Sequence, residues 1–102
     1  MSRHLSLALR LTSKSGHPKY KMAAVLIKGG AVVSVAVNLH RWGKHAEVRC
    51  LRPGVTGDLL VVARKGGRCS KPCPSCEKAI RKAGVAKVVY IDWSGDTVEV
   101  RL

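Results

Sequence analysis

A chain of 102 residues, 46% of them apolar, is long enough for one sheet with a few helices and too short for two separate cores, so residues 1–102 are expected to form a single domain. Nineteen Lys and Arg against six Asp and Glu give a net charge of +13, which points to polyanionic partners, nucleic acid first. The apolar content is wrong for a disordered chain, and no apolar run approaches the roughly 20 residues of a membrane-spanning helix.

The first element predicted is an amphipathic helix from Ser2 to Ser13, with Leu5, Ala8, Leu9 and Thr12 on one face. The stretch from Leu5 to Leu11 is too short for a signal peptide, is interrupted by Arg10 and lacks a cleavage site, so a cytoplasmic location is expected. Ser15-Gly16-His17-Pro18 stops the helix. Met22 to Lys28 reads as a strand, Gly29-Gly30 as a tight turn, and Ala31 to Asn38 as the antiparallel partner. Both runs are almost continuously apolar, which predicts a sheet covered on both faces.

Leu39 to Lys44 is a polar loop, followed by a helix from about His45 to Arg52 that Pro53-Gly54 ends. Leu59 to Arg64 is a short apolar strand, and Lys65 to Pro72 is a basic loop. A further helix runs from about Cys73 to Ala83 and closes at Gly84. Val85 to Asp92 is a strand, Ser94-Gly95 a turn, and Thr97 to Leu102 a last strand. The order α-β-β-α-β-α-β-β predicts an α/β fold with a central mixed sheet and helices on both faces.

Charge and cysteine are unevenly spread. Residues 1–82 carry seventeen basic and three acidic residues, whereas residues 83–102 carry two and three, so the last strands contribute little to the basic surface. Of the four cysteines, Cys69, Cys73 and Cys76 crowd together, which in a reducing compartment means metal or redox chemistry more often than a disulfide framework. Cys73 and Cys76 lie one helical turn apart at a predicted helix N-terminus, which places both sulfurs on one side and favours thiolates. His45 opens the other helix and can supply a third ligand. Three protein ligands leave a fourth tetrahedral position for water, the arrangement of a catalytic zinc. Glu47 is the first acidic residue in the chain, and it stands two positions from that histidine, placed to move a proton rather than to bind metal. Three rival readings remain open. Glu47 can simply favour the helix dipole. Cys50, Cys69, Cys73 and Cys76 can close a structural zinc site in a basic nucleic-acid-binding module, or Cys73-x-x-Cys76 can be a redox pair.

His45-x-Glu47 followed by Pro72-Cys73-x-x-Cys76 resembles the signature of the cytidine deaminase-like superfamily, specifically its CMP/dCMP-type zinc-binding deaminases, relatives of the AID/APOBEC and tRNA deaminases. The likeness extends over most of the chain, from the first helix and the Gly-Gly hairpin to the strand after the second motif. It implies a three-layer α/β/α fold with a five-stranded mixed sheet and an antiparallel C-terminal hairpin. It also implies zinc on His45, Cys73 and Cys76, with Glu47 as proton shuttle. The backbone N–H of Ala46 would face the base carbonyl, and Asn38 would contact base or sugar. The implied reaction is hydrolysis at C4 of cytosine with release of ammonia. Adenine is disfavoured, because tRNA adenosine deaminases typically have Glu where this chain has Lys71.

The size of the substrate is contested by two features. Arg41, Lys44, Arg64, Lys65, Arg68 and Lys71 flank both motifs and would follow a phosphate backbone, with Trp42 and Trp93 available to stack a base. The balance of charge favours single-stranded DNA or RNA. Against that stand the compact C-terminus and its antiparallel last strand, features of the branch that deaminates free cytidine, CMP or dCMP. A homo-oligomer is also compatible with so small a chain.

Overall fold

The computed structural model describes residues 3–16, 21–38, 45–52 and 54–102. Helix α1 (Arg3–Leu11) buries Leu5 and Ala8 and tightens into a 3-10 turn over Thr12–Lys14, where the Thr12 hydroxyl donates to the Leu9 carbonyl at 2.6 Å. Strands β1 (Met22–Lys28) and β2 (Ala31–Val37) form the predicted hairpin. Its turn needs positive φ at both central residues, and Gly29 and Gly30 adopt +57° and +84°. Helix α2 (Ala46–Cys50) follows, then β3 (Leu59–Arg64), α3 (Pro74–Lys82), β4 (Lys87–Ile91) and β5 (Thr97–Arg101).

The strands form one sheet in the order β2-β1-β3-β4-β5. β3 and β4 run parallel because the crossover between them carries α3. The other three pairings are antiparallel, including the C-terminal β4–β5 hairpin. Alternation along the strands divides the core in two. Ala24, Leu26, Leu60, Val62 and Val88 pack with Cys50 of α2 and Ile80 of α3. Val25, Ile27, Val61, Ala63 and Ile91 pack with Leu5 and Ala8 of α1. The result is the expected three-layer α/β/α arrangement.

Local expectations need correction in three places. The sheet is not covered on both faces along β2, where Val32, Val33 and Val35 are 43%, 41% and 40% exposed. β2 is the edge strand, and α1 packs over β1 and β3 instead. Only its α2 side is closed, with the Ser34 hydroxyl donating to the Cys50 carbonyl at 2.8 Å. Helix α2 is shorter than predicted, since a residue preceding proline disfavours helical backbone and Pro53 follows Arg52. β4 begins at Lys87, because Val85 is drawn into the core before pairing starts.

Gly57 marks a close approach between the loop before β3 and strand β1. A Cβ there would lie 2.6 Å from Leu26 Cδ1 and 3.0 Å from the Ile27 carbonyl oxygen. Leu26 is fully buried and has no room to yield. Gly57→Ala is expected to lower stability by about 1–3 kcal/mol, read as an earlier urea midpoint with unchanged slope.

The register sets up the functional end of the molecule. Ala23 pairs with Val37 and Met22 with Arg64, so the start of β1 meets the C-terminal ends of β2 and β3, and β4 ends there too. In open α/β sheets, ligand sites form at the carboxyl ends of strands.

Candidate active site

Two helices present their N-termini at that end. His45 and Cys73 are the N-cap residues of α2 and α3, both in extended backbone conformation. Their carbonyls accept the first helical hydrogen bonds, from Arg49 N at 3.0 Å and Glu77 N at 2.9 Å. Neither side chain caps its own helix, which leaves the imidazole and the thiol turned toward each other. Pro74 occupies the first helical position, where its missing N–H costs nothing. Cys76 lies on the first turn of α3 and is buried.

His45 Nδ1 stands 3.0 Å from Cys76 Sγ and 3.8 Å from Cys73 Sγ, and all three donor atoms lie within 4.8 Å of one another. Zn–N and Zn–S bonds at tetrahedral angles separate nitrogen from sulfur by about 3.5 Å, a value these two distances bracket. Two sulfurs and one imidazole nitrogen are also the donor chemistry zinc prefers, and three donors leave one position open. The residues fit the metal. As a ligand, His45 Nδ1 must be the unprotonated ring nitrogen, which puts the proton on Nε2.

Glu47 is 2% exposed, and its Oε1 is buried without a hydrogen-bond partner among the described residues. Burial and then the Glu47 carboxylate push the Cys76 thiol well above the ordinary cysteine range, with Cys73 adding to the effect. Packing the Cys76 thiol and the Glu47 carboxylate together out of water, with Cys73 at the rim, is costly for the bare protein, and a divalent cation relieves it.

The other two cysteines are elsewhere. Cys50 is fully buried on α2, where its Sγ donates weakly to the carbonyls of Ser34 at 3.4 Å and Ala24 at 3.6 Å. Burial pushes its thiol up, against the smaller opposing pull of Ser34, and it behaves as a small apolar core residue. Cys69 is a half-buried free thiol outside the cluster. A four-cysteine structural site is therefore not formed. Cys50→Ser and Cys69→Ser are each expected to retain full zinc content by elemental analysis, and loss of zinc in either would add a ligand.

The remaining predicted residues do not all gather at one place. Asn38 is 7% exposed, and its Oδ1 accepts from Met22 N at 2.9 Å and from the Ser15 hydroxyl, which also donates to the Asn38 carbonyl at 2.6 Å. That oxygen thus ties the end of β2 to the start of β1. Ala46 is fully buried at the start of α2. Trp93, just past β4, is 86% exposed. Arg64, Lys65 and Arg68 gather along one cavity, whereas Lys71 lines a different one beside α3. Arg41, Trp42 and Lys44 lie outside the described residues.

Two positions escaped the sequence reading. Ser70 Oγ donates to the Val62 carbonyl at 2.7 Å and accepts from Ile91 N at 2.9 Å, locking the ends of β3 and β4 and fixing the loop that leads into Cys73. A serine in a polar loop carries no sequence signal for this. Lys21 belongs with the Arg64 group, a placement set by the β1–β3 register.

Fold and donor set together define an α/β protein with a zinc-type site at the carboxyl end of its sheet. The model of the cytidine and deoxycytidylate deaminase zinc-binding region matches residues 1–92, and the chain belongs to that family. Among solved structures, it is similar to the apo crystal structure of dCMP deaminase from the cyanophage S-TIM5. That likeness has a TM-score of 0.71 at 22% identity, covers 90% of this chain and 86% of the other, and shows the shared fold. No curated protein matches the chain.

Proposed function

We propose that the protein hydrolyses the exocyclic amine of cytosine in a cytosine nucleotide, giving uracil and ammonia, with His45, Cys73 and Cys76 holding zinc and Glu47 moving the protons. The observation that carries this reading is the buried Glu47 Oε1, which meets no donor among the described residues, on a carboxylate close enough to Cys76 to raise its thiol. A carboxylate oxygen left unsatisfied beside a three-donor site is available to a water and a base.

Zinc bound there would supply Lewis acidity, bringing a water's pKa toward neutrality. Glu47 would take one proton from the attacking water and deliver it to the ring nitrogen next to C4. It would then take the remaining proton from the hydroxyl added at C4 and pass it to the amine as the C4–N bond breaks, so that the carbonyl forms, ammonia leaves and the carboxylate is regenerated. Ala46 N–H at the α2 N-terminus would receive the base carbonyl.

A free cytosine mononucleotide is the substrate this reading favours. The antiparallel β4–β5 hairpin supports it, as does the likeness to a structure described as dCMP deaminase. The test is ammonia release and uracil formation by the zinc-loaded protein on dCMP, CMP and cytidine. Turnover on dCMP is the expected result. Full zinc content with no turnover on any cytosine compound, oligonucleotides included, would overturn the proposal.

A further inference from the structure

Lys21, Arg64, Lys65 and Arg68, with Gly66, line an open cavity of about 370 Å³ at the functional end of the sheet. Four cations and no acidic residue stand among its described lining residues. Their grouping is built into the fold. Met22 pairs with Arg64, and Lys65 N donates to the Lys21 carbonyl at 2.9 Å, which joins the segment entering β1 to the segment leaving β3. The Lys21 ammonium is itself steadied by the Ser15 carbonyl at 2.8 Å.

Beyond the cavity, the chain leads on to the zinc ligands. Two residues past Arg68, Ser70 N donates to the Ile91 carbonyl at 2.8 Å, and three residues later the chain reaches Cys73. Two residues past Ile91 stands Trp93, with 86% of its surface in water. Along the chain, the Ser70–Ile91 junction thus lies two residues from Arg68, two from Trp93 and three from Cys73. One monophosphate requires one or two cations. A row of four, with an exposed indole two residues past the strand that Ser70 joins, has the composition of a single-strand track, with cations for the phosphates and an aromatic face for a base.

We infer that this cavity and Trp93 form a binding groove for the phosphodiester backbone of a single-stranded polynucleotide, leading its chain to the deaminase centre. The inference rests on the deaminase reading only for the place of the reacting base.

The test is fluorescence anisotropy with a labelled oligothymidylate, which contains no cytosine and so separates binding from chemistry. The double variant Lys65→Ala/Arg68→Ala is expected to bind about tenfold more weakly. The slope of log affinity against log salt should become shallower by about 1.4, from about 0.7 for each single-strand phosphate contact. Trp93→Ala should cost about tenfold through lost stacking, with little change in that slope. Lys28→Ala/Lys82→Ala removes equal charge from exposed positions at the far end of the sheet and should change neither quantity appreciably. Zinc content and thermal midpoint check that each variant is folded. Equal weakening by both double variants would reduce the groove to general surface charge and overturn the inference. So would displacement of the oligonucleotide by dTMP at comparable nucleotide concentration, which would make the cavity a site for one phosphate. Turnover on dCMP with no special role for Lys65 and Arg68 would defeat the groove alone. Groove-dependent binding without any turnover would defeat the deaminase reading alone.

Discussion

Glu47→Gln is expected to keep zinc and lose turnover, with kcat on dCMP falling by about 10²–10⁴, the usual contribution of a positioned proton carrier. Glutamine has nearly the same shape, so a side chain that is 2% exposed can be replaced without opening a cavity. It cannot accept and return a proton. KM should change little if the carboxylate acts mainly in the chemical step. The competing explanation is that an acidic residue in the first turn of α2 serves the helix dipole. That role is worth about 0.3–1 kcal/mol of stability and nothing in kcat. Burial strengthens a dipole contact as well, but that contact needs only a place in the first turn and does not require a fully buried carboxylate beside Cys76. Kinetics on dCMP, together with zinc content and a thermal melt, separates the two. Unchanged kcat with a slightly lower melting temperature would return Glu47 to a structural role.

How far the site was legible from sequence depends on the range of the information needed. β1 and β3 have their predicted bounds because central strands buried on both faces appear as uninterrupted apolar runs, Ala23 to Ile27 and Leu59 to Ala63. β2 has the same kind of run and a different fate, since edge position is decided by strand order, a long-range property that composition does not encode. The Cys73–Cys76 spacing is local and was legible as one helical turn. Their meeting with His45 is not local. It requires β2, β3 and the helices after them to bring two helix N-termini to one end of the sheet. The motif anticipated that meeting only through resemblance. Asn38 shows the limit, since its position was legible and its attachment to Ser15 and Met22 was not. A short polar residue at a strand end has too many possible partners for sequence to choose one. Lys21 was missed for a related reason: it is isolated in sequence from Arg64 and Lys65, and becomes their neighbour only through the β1–β3 register.

Cys76→Ser is expected to abolish zinc binding and, with it, the stability that zinc confers. The Cys76 sulfur is 2% exposed at the residue level and is the donor closest to His45 Nδ1, at 3.0 Å. A serine hydroxyl is a poor zinc ligand and would leave two protein donors where three are needed. The loss of affinity should far exceed the 10–100-fold typical of removing an outer-shell partner. Thermodynamic linkage turns this into a melting experiment. Zinc at about 1,000 times its dissociation constant stabilises the native state by about 4 kcal/mol. For a chain of this size that corresponds to roughly 15–30 °C between zinc-loaded and chelated protein. The variant should melt near the chelated wild type under both conditions, and Cys50→Ser should keep the full shift. Thiol ligands must lose their protons to bind, so the wild-type shift should grow as pH rises from about 6 to 8 and shrink on acidification. A packing role for Cys76 makes the opposite forecast: the same loss of stability with zinc and with chelator, because a cavity or a misplaced hydroxyl does not depend on metal. That pattern would remove Cys76 from the site and would leave the fit of His45 and Cys73 to a metal without its third donor.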